Sequence, residues 1–259
     1  MSTTITDPLL VAREGGVLTL TLNRPDKLNS LDTALLRSLG EAMAGAREDE
    51  SVRAVVITGG GRGFSAGADL FEGMREPVRR RLALRYTPII TAMREMDKPV
   101  IAAVNGVTAG AGMSLTLAAD FRIAAESASF LLAFARIGLV PDAGATFFLP
   151  RLVGLARAME LAMLADQIPA AEALRIGLVN RVVPDAELGA AARELAERLG
   201  RGPFSLGLIK RALNQSLVSD LGTQLQHEED LQGLAMASGD FAEGVTAFRD
   251  KRAAVFQGR

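Results

Sequence analysis

The sequence predicts an α/β fold, and three observations lead there. Short β-branched or apolar runs (Val52–Thr58, Pro99–Asn105, Phe121–Ala124) alternate with helical patterns. Glycine-rich turns follow the first two of these runs, at Gly59–Asp69 and at Gly106–Gly112. The last fifth of the chain carries helical periodicity and no strand signal.

Taken in order, Leu9–Ala12 and Val17–Leu22 flank Gly15-Gly16 and read as a hairpin. Asp32 caps a helix to about Arg47, with Leu35, Leu36, Leu39 and Met43 at helical spacing. Val52–Thr58 is a strand, and the glycine-rich stretch to Asp69 is a loop. Glu72–Lys98 holds six arginines and reads as a solvated helix pair. Pro99–Asn105 is a buried strand, and Ala109–Ala118 a small-residue helix. Phe121–Ala124 and Ala128–Leu132 are short strands. The loop IGLVPDAG leads to a helix toward Leu152. Beyond Ala156 the pattern is helical, apart from a strand at Arg181–Val183, and Pro203 suits a helix's first turn.

Composition narrows the function. In 259 residues, 29 Lys+Arg oppose 30 Asp+Glu for a net charge of −1, which gives no global attraction to nucleic acid or anionic membrane. The absence of cysteine excludes disulfides, thiolate metal sites and a cysteine nucleophile. A single histidine, His227, excludes most histidine-rich metal sites, so no metal is expected; next to Glu228 and Glu229 it reads as a surface or interface residue. With no Trp and one Tyr, stacking platforms for bases are not expected. No basic segment followed by an apolar run opens the chain, so no signal peptide is read. The uncharged stretch Pro99–Ala119 contains Asn105-Gly106 and reads as strand, turn and helix rather than a membrane span.

Familiar phosphate loops fail. GGGRGFSAG (Gly59–Gly67) lacks the lysine of a Walker loop. The dinucleotide spacing breaks at Phe64 counted from Gly59 and at Ala66 counted from Gly61. Two glycine turns remain, GRGFSAGADL (Gly61–Leu70) and NGVTAGAGMSL (Asn105–Leu115). They suit either close packing of turn on helix or two backbone N–H donors aimed at one oxygen. Asp142 in VPDAG suits either a turn or helix cap, or a proton carrier. Phe130, Phe134, Phe147 and Phe148 lie close in sequence, and an apolar pocket lined by some of them would raise the pKa of Asp142.

The ordered strings LNRPDKLNSL (Leu22–Leu31), FSAGADL (Phe64–Leu70), KPVIAAVNGVTAGAG (Lys98–Gly112), GLVPDAG (Gly138–Gly144), LPRLVG (Leu149–Gly154) and GDFAEGVTAFRDKR (Gly239–Arg252) resemble the crotonase (enoyl-CoA hydratase/isomerase) superfamily over nearly the whole chain. The resemblance implies a spiral of ββα units over residues 1–200 carrying an acyl-CoA site. It also implies a helical oligomerisation region over 201–259. The amides of Ala68 and Ala111 would form the oxyanion hole. CoA would lie against Lys27, Leu28, Ala66, Asp69 and Leu70, although Lys27 also suits a solvated turn. Phe248 and Lys251 would reach a neighbouring subunit's nucleotide in a homotrimer or hexamer. Leu225, Leu231, Leu234 and Met236 fit such an interface and intrachain packing equally.

The departures from the family pattern carry equal information. Where hydratases of this family place two water-activating glutamates, the chain has Ser114 and Phe134. Asp142 stands where several isomerases carry an aspartate. AFARIGLVPDAG (Ala133–Gly144), FFLPRLVG (Phe147–Gly154) and FSLGLIKRA (Phe204–Ala212) are most similar to the ring-1,2-epoxyphenylacetyl-CoA isomerases. The expectation is a cytoplasmic acyl-CoA isomerase that needs no cofactor beyond the CoA of its substrate and has no nucleic-acid or membrane partner. A hydratase using Asp142 and a non-catalytic acyl-CoA- or RNA-binding homologue are the alternatives.

Overall fold

The computed structural model describes residues 7–73 and 77–259. Strands β1 (Leu9–Glu14) and β2 (Val17–Leu22) form the expected hairpin, Leu9 opposite Leu22 and Glu14 opposite Val17. Gly15 turns it at φ +56°, a conformation that suits glycine. β1 is two residues longer than its apolar run, because an edge strand tolerates Arg13 and Glu14 facing solvent. Asp32 caps helix Thr33–Glu48 as expected, its Oδ1 accepting the Leu35 amide at 2.8 Å.

Three units follow, each a strand of the main sheet succeeded by a short strand of a second sheet. β3 (Ala54–Gly59) leads to β4 (Gly63–Ser65), β5 (Val100–Val104) to β6 (Val107–Ala109), and β7 (Phe121–Ala125) to β8 (Ser129–Leu131). With β9 (Ile168–Pro169) and β10 (Arg181–Val183), the described residues give a main sheet β1-β2-β3-β5-β7-β10, parallel from β2 onward, and a second sheet β4-β6-β8-β9. The chain therefore winds as a spiral of ββα units. Every residue of β5 and of helix Ala111–Ala118 is buried, which accounts for the uncharged stretch. Among the described residues no helix is long and apolar enough to cross a membrane.

Several local expectations need correction. β4, β6 and β9 were not expected; at two or three residues, alternation carries no signal, and glycine dominates the sequence around β4 and β6. The arginine-rich segment is not simply solvated. Helix Val78–Arg81, a π-helical turn Leu82–Tyr86 and helix Thr87–Glu95 run on without a break, burying Tyr86, Ile89 and Met93. Its charge count hid that apolar face. Arg75 of this segment, and the opening residues 1–6 of the N-terminus, lie outside the described residues. Pro203 precedes helix Ser205–Ser216 rather than entering its first turn; Phe204 is the cap, and the Pro203 carbonyl accepts the Leu206 amide at 3.0 Å.

Lys210 ties the C-terminal helices to the spiral, and Asp240 ties the C-terminal region to itself. Lys210 donates to the carbonyls of Met93 (2.6 Å) and Lys98 (3.0 Å) and pairs with Asp120 at 2.7 Å. Asp240 is buried and accepts the amides of Phe204 (2.8 Å), Gln257 (2.7 Å) and Gly258 (2.7 Å). Burial alone would raise its pKa, but these amides outweigh it and hold the carboxyl below the usual range. That stability is present above the unfolded aspartate range and is lost as pH falls through the depressed value. Asp240→Ala strands three part-buried donors and is expected to cost about 1–3 kcal/mol, read as a lower urea midpoint at neutral pH that converges on wild type in acid.

Helix Leu221–Met236 buries Leu231 and leaves Leu225, Leu234 and Met236 exposed. Three of the four apolar positions are therefore about half exposed. His227 is half-buried on the same helix.

Candidate active site

The site begins with the segment Leu22–Leu31. Leu28 and Asn29 both have positive φ (+48° and +54°), and the fully buried Asn29 side chain stabilises that bend. Its Oδ1 accepts the Arg24 amide at 2.8 Å, and its Nδ2 donates to the carbonyls of Gly60 (2.9 Å) and Gly63 (2.8 Å). The Arg24 guanidinium bridges Asp32 (3.1 Å) and Asp69 (3.3 Å). Neither Asn29 nor Arg24 was singled out from sequence, since a buried amide and a paired arginine look like ordinary turn residues there.

The braced segment lies along the first glycine turn. The Ala66 amide donates to the Leu28 carbonyl (2.8 Å), Leu31 to Gly67 (2.7 Å) and Asp69 to Leu31 (3.1 Å). This brings Leu28, Ala66, Asp69 and Leu70 together on one rim, with Lys27 one residue away. Lys27, Ala66 and Leu70 are exposed and Leu28 half-buried. The Asp69 carboxylate is turned inward to Arg24 and the Glu72 amide, which hold its pKa low against the opposing effect of burial. Its side chain braces the rim from behind.

The two glycine turns touch. A Cβ on Gly67 (φ +96°) would lie 2.9 Å from the Ala109 carbonyl oxygen and 3.3 Å from the Ala111 nitrogen. A Cβ on Gly110 (φ +50°) would lie 3.9 Å from the Gly67 Cα. The amides flanking the contact are engaged: Gly67 donates to Ser65 Oγ (3.2 Å) and Gly110 to the Leu131 carbonyl (2.9 Å). Among the described residues, Ala68 and Ala111 donate to no protein acceptor. Ala111 is the first residue of helix Ala111–Ala118, where an amide has no intrahelical partner and the dipole favours negative charge. Of the two alternatives in the sequence, close packing of turn on turn is present, and it leaves the Ala68 and Ala111 amides without a protein acceptor. Two free amides so placed can stabilise an oxyanion. Gly67→Ala is expected to force the turns apart and strain the backbone by about 1–3 kcal/mol, read as a lower melting temperature together with loss of turnover.

Asp142 lies in the loop between the 3-10 turn Ala133–Ile137 and helix Ala145–Val153. Its side chain does not cap that helix; Gly144 is the cap, and Asp142 contributes its main-chain carbonyl to the Ala145 amide at 3.0 Å. Oδ1 is buried with no hydrogen-bond partner among the described residues. Burial raises the carboxyl pKa, and Arg81 acts in the opposite direction. Its chain neighbour Ala143 lines a cavity of about 10 Å³ together with Tyr86, Ala111, Leu115, Ile89 and Ile90. That is room for about one water.

The aromatic wall expected around Asp142 is not found in this cavity. Phe130 belongs to the core, and Phe148 packs beneath Gly144. Phe147 meets Phe148 edge-on at 5.2 Å and lies under Arg151 at 3.7 Å. Phe148 instead helps line a larger cavity of about 390 Å³ at the far end of helix Ala111–Ala118. There Arg94 and Lys210 are already occupied by Asp120 and backbone carbonyls.

Ser114 is fully buried, and its Oγ donates back to the Gly110 carbonyl at 3.4 Å. Phe134 is buried in the 3-10 turn. Neither position offers a titratable group. Phe248, 88% exposed, and Lys251 stand on the outer surface at the end of helix Gly239–Arg249. Among the described residues no His, Asp and Glu cluster is arranged to hold a metal ion.

Residues 12–259 match the family model described as enoyl-CoA hydratase/isomerase. The chain is 45% identical over 253 residues to the 1,2-epoxyphenylacetyl-CoA isomerase of Escherichia coli K12, covering 95% of this chain and 97% of that one. It is 46% identical over 247 residues to a probable enoyl-CoA hydratase of Rhodobacter capsulatus, covering 94% and 95%. The crystal structure of an enoyl-CoA hydratase from Bacillus anthracis superposes with a TM-score of 0.92 at 36% identity, over 97% of this chain and 100% of that one.

Proposed function

The chain belongs to the enoyl-CoA hydratase/isomerase family, and on that premise we propose that it is an acyl-CoA isomerase, moving a proton and with it a double bond through a thioester enolate. The observation that carries this reading is the Asp142 carboxylate, whose Oδ1 is buried with no partner among the described residues and whose neighbour Ala143 lines a cavity with Ala111. Ser114 and Phe134, which replace the hydratase glutamates, supply no second acid or base.

The residues divide the work as follows. The Asp142 carboxylate takes a proton from a carbon near the thioester, and the C–H electron pair moves into the C–C bond and onto the thioester oxygen. The amides of Ala68 and Ala111 stabilise that oxygen more as its charge grows, so they lower the barrier rather than only binding substrate. The protonated Asp142 returns the same proton to another carbon, the electrons move back, and the double bond is displaced. No separate cofactor enters; CoA belongs to the substrate and lies on the rim of Lys27, Leu28, Ala66, Asp69 and Leu70.

The 45% identity to the Escherichia coli enzyme supports ring-1,2-epoxyphenylacetyl-CoA, rearranged to the oxepin, as the particular substrate. The hydratase reading is kept by the Rhodobacter relative, and it requires Asp142 to activate water without a second carboxylate. We place the protein in the cytoplasm as a homotrimer or hexamer. Leu225, Leu234 and Met236 would lie in the interface, with Phe248 and Lys251 reaching a neighbour's nucleotide. The test is a turnover panel of straight-chain enoyl-CoA and phenylacetyl-derived CoA thioesters, followed by product mass and double-bond position. Isomers of unchanged mass support the reading. 3-Hydroxyacyl products support the hydratase, and tight binding without turnover supports a binding role.

A further inference from the structure

One more helical segment bears on Asp142 without belonging to either glycine turn. It runs from Val78 to Glu95 and contains the π-helical turn Leu82–Tyr86. Such turns are rare and concentrate at functional positions. In an α-helix, residues five apart point about 140° apart. The i→i+5 closure of a π turn brings them back toward one face, here Arg81 and Tyr86. Tyr86 lines the cavity that Ala111 and Ala143 also line. Arg81 Nε and Asp142 Oδ1 are both buried, and among the described residues neither has a hydrogen-bond partner. A lone buried donor and a lone buried acceptor of opposite charge are costly features unless they serve each other or a ligand.

We propose that Arg81 is a positioning residue for Asp142: the π turn, whose Tyr86 shares a cavity with Ala143, holds the guanidinium on the Asp142 side as a fixed positive charge that orients the carboxylate and leaves Oδ1 free to take a proton. The inference rests on the isomerase reading. Arg81 opposes the effect of burial on Asp142, and the same guanidinium opposes the Asp142 charge at Tyr86. Arg85, on the π turn, also acts on Tyr86. The other nearby cations are turned elsewhere: Arg136 gives its Nε to the Ala165 carbonyl at 2.9 Å, and Arg151 gives a guanidinium N–H to the Phe147 carbonyl at 2.8 Å.

The test compares wild type with Arg81→Gln and Arg81→Lys, measuring kcat/KM for double-bond migration against pH. In parallel, ¹³C NMR titrates the Asp142 carboxyl, assigned by its disappearance in Asp142→Asn. Arg81→Gln is expected to move both the acid limb and the NMR midpoint up by roughly one pH unit, and Arg81→Lys to restore most of the difference. Arg81→Met, which keeps an aliphatic stem, is a second neutral variant should Arg81→Gln fail to fold. A lower kcat with limb and midpoint unmoved in the neutral variants would overturn the proposal and leave Arg81 a packing residue. A wild type that shifts no double bond would instead remove the isomerase reading, while the NMR titration still decides whether Arg81 acts on Asp142.

Discussion

Asp142→Asn is expected to reduce double-bond migration by roughly 10²–10⁴-fold, the range a positioned acid–base group supplies, while acyl-CoA binding stays within a few-fold of wild type. The substitution preserves the shape of the side chain and removes its ability to exchange a proton. Two further signs follow from burial of the carboxyl. The reaction needs the ionised form, so kcat/KM falls as pH drops through a value above the ordinary aspartate range, and the acid limb lies higher than for an exposed carboxylate. Stability runs the other way. A folded-state pKa raised above the unfolded one contributes stability below the unfolded value, and that contribution is lost as pH rises through the folded value. At neutral pH the charged side chain therefore weakens the fold. Asp142→Asn is expected to melt higher than wild type at pH 7 and to converge with it in acid. Full turnover in the variant would remove Asp142 from the chemistry, and a lower melting temperature would contradict the account of its burial.

Removing one free amide is the second large effect. Incorporation of lactic acid in place of Ala111 converts that peptide N–H to an ester oxygen and leaves the side chain unchanged. Ala111 opens its helix, so no intrahelical bond of its own amide is lost. The Gly110 carbonyl becomes a weaker acceptor for the Ser114 amide, now at 3.1 Å, which predicts a small loss of stability. kcat is expected to fall by roughly 10²–10³, about 2.7–4 kcal/mol of barrier, with a much smaller change in binding. An equal loss in binding and in kcat/KM with kcat preserved would mean that the amide holds ground state and transition state alike.

The legible parts of the molecule were those where one physical signal dominates. The hairpin at Gly15, the Asp32 cap and the buried β5 run could be read because turn chemistry, capping and continuous apolarity each point one way. The glycine turns identified a place where main chains meet. That Ala68 and Ala111 keep free amides there depends on Leu31 and Leu131, which are distant in sequence and accept the neighbouring amides. Asp142 was visible as an acid in a turn. The cavity at its neighbour Ala143 was not, because Tyr86 and Ile89 reach that cavity from a segment whose arginines mask the apolar period, while Phe130 lies in the core and Phe148 lines the second cavity. Strands as short as β4 and β6 gain their structure from pairing with each other, a tertiary cause with no local trace.

The central claim is that one buried acid opposite two backbone amides carries hydrogen between carbons while water stays out of the reaction. A 3-enoyl-CoA incubated with the enzyme in H₂¹⁸O, with products resolved by mass spectrometry, tests it in one measurement. The account predicts conversion to the conjugated 2-enoyl-CoA with no ¹⁸O incorporated. A 3-hydroxyacyl-CoA carrying ¹⁸O as the main product would contradict it.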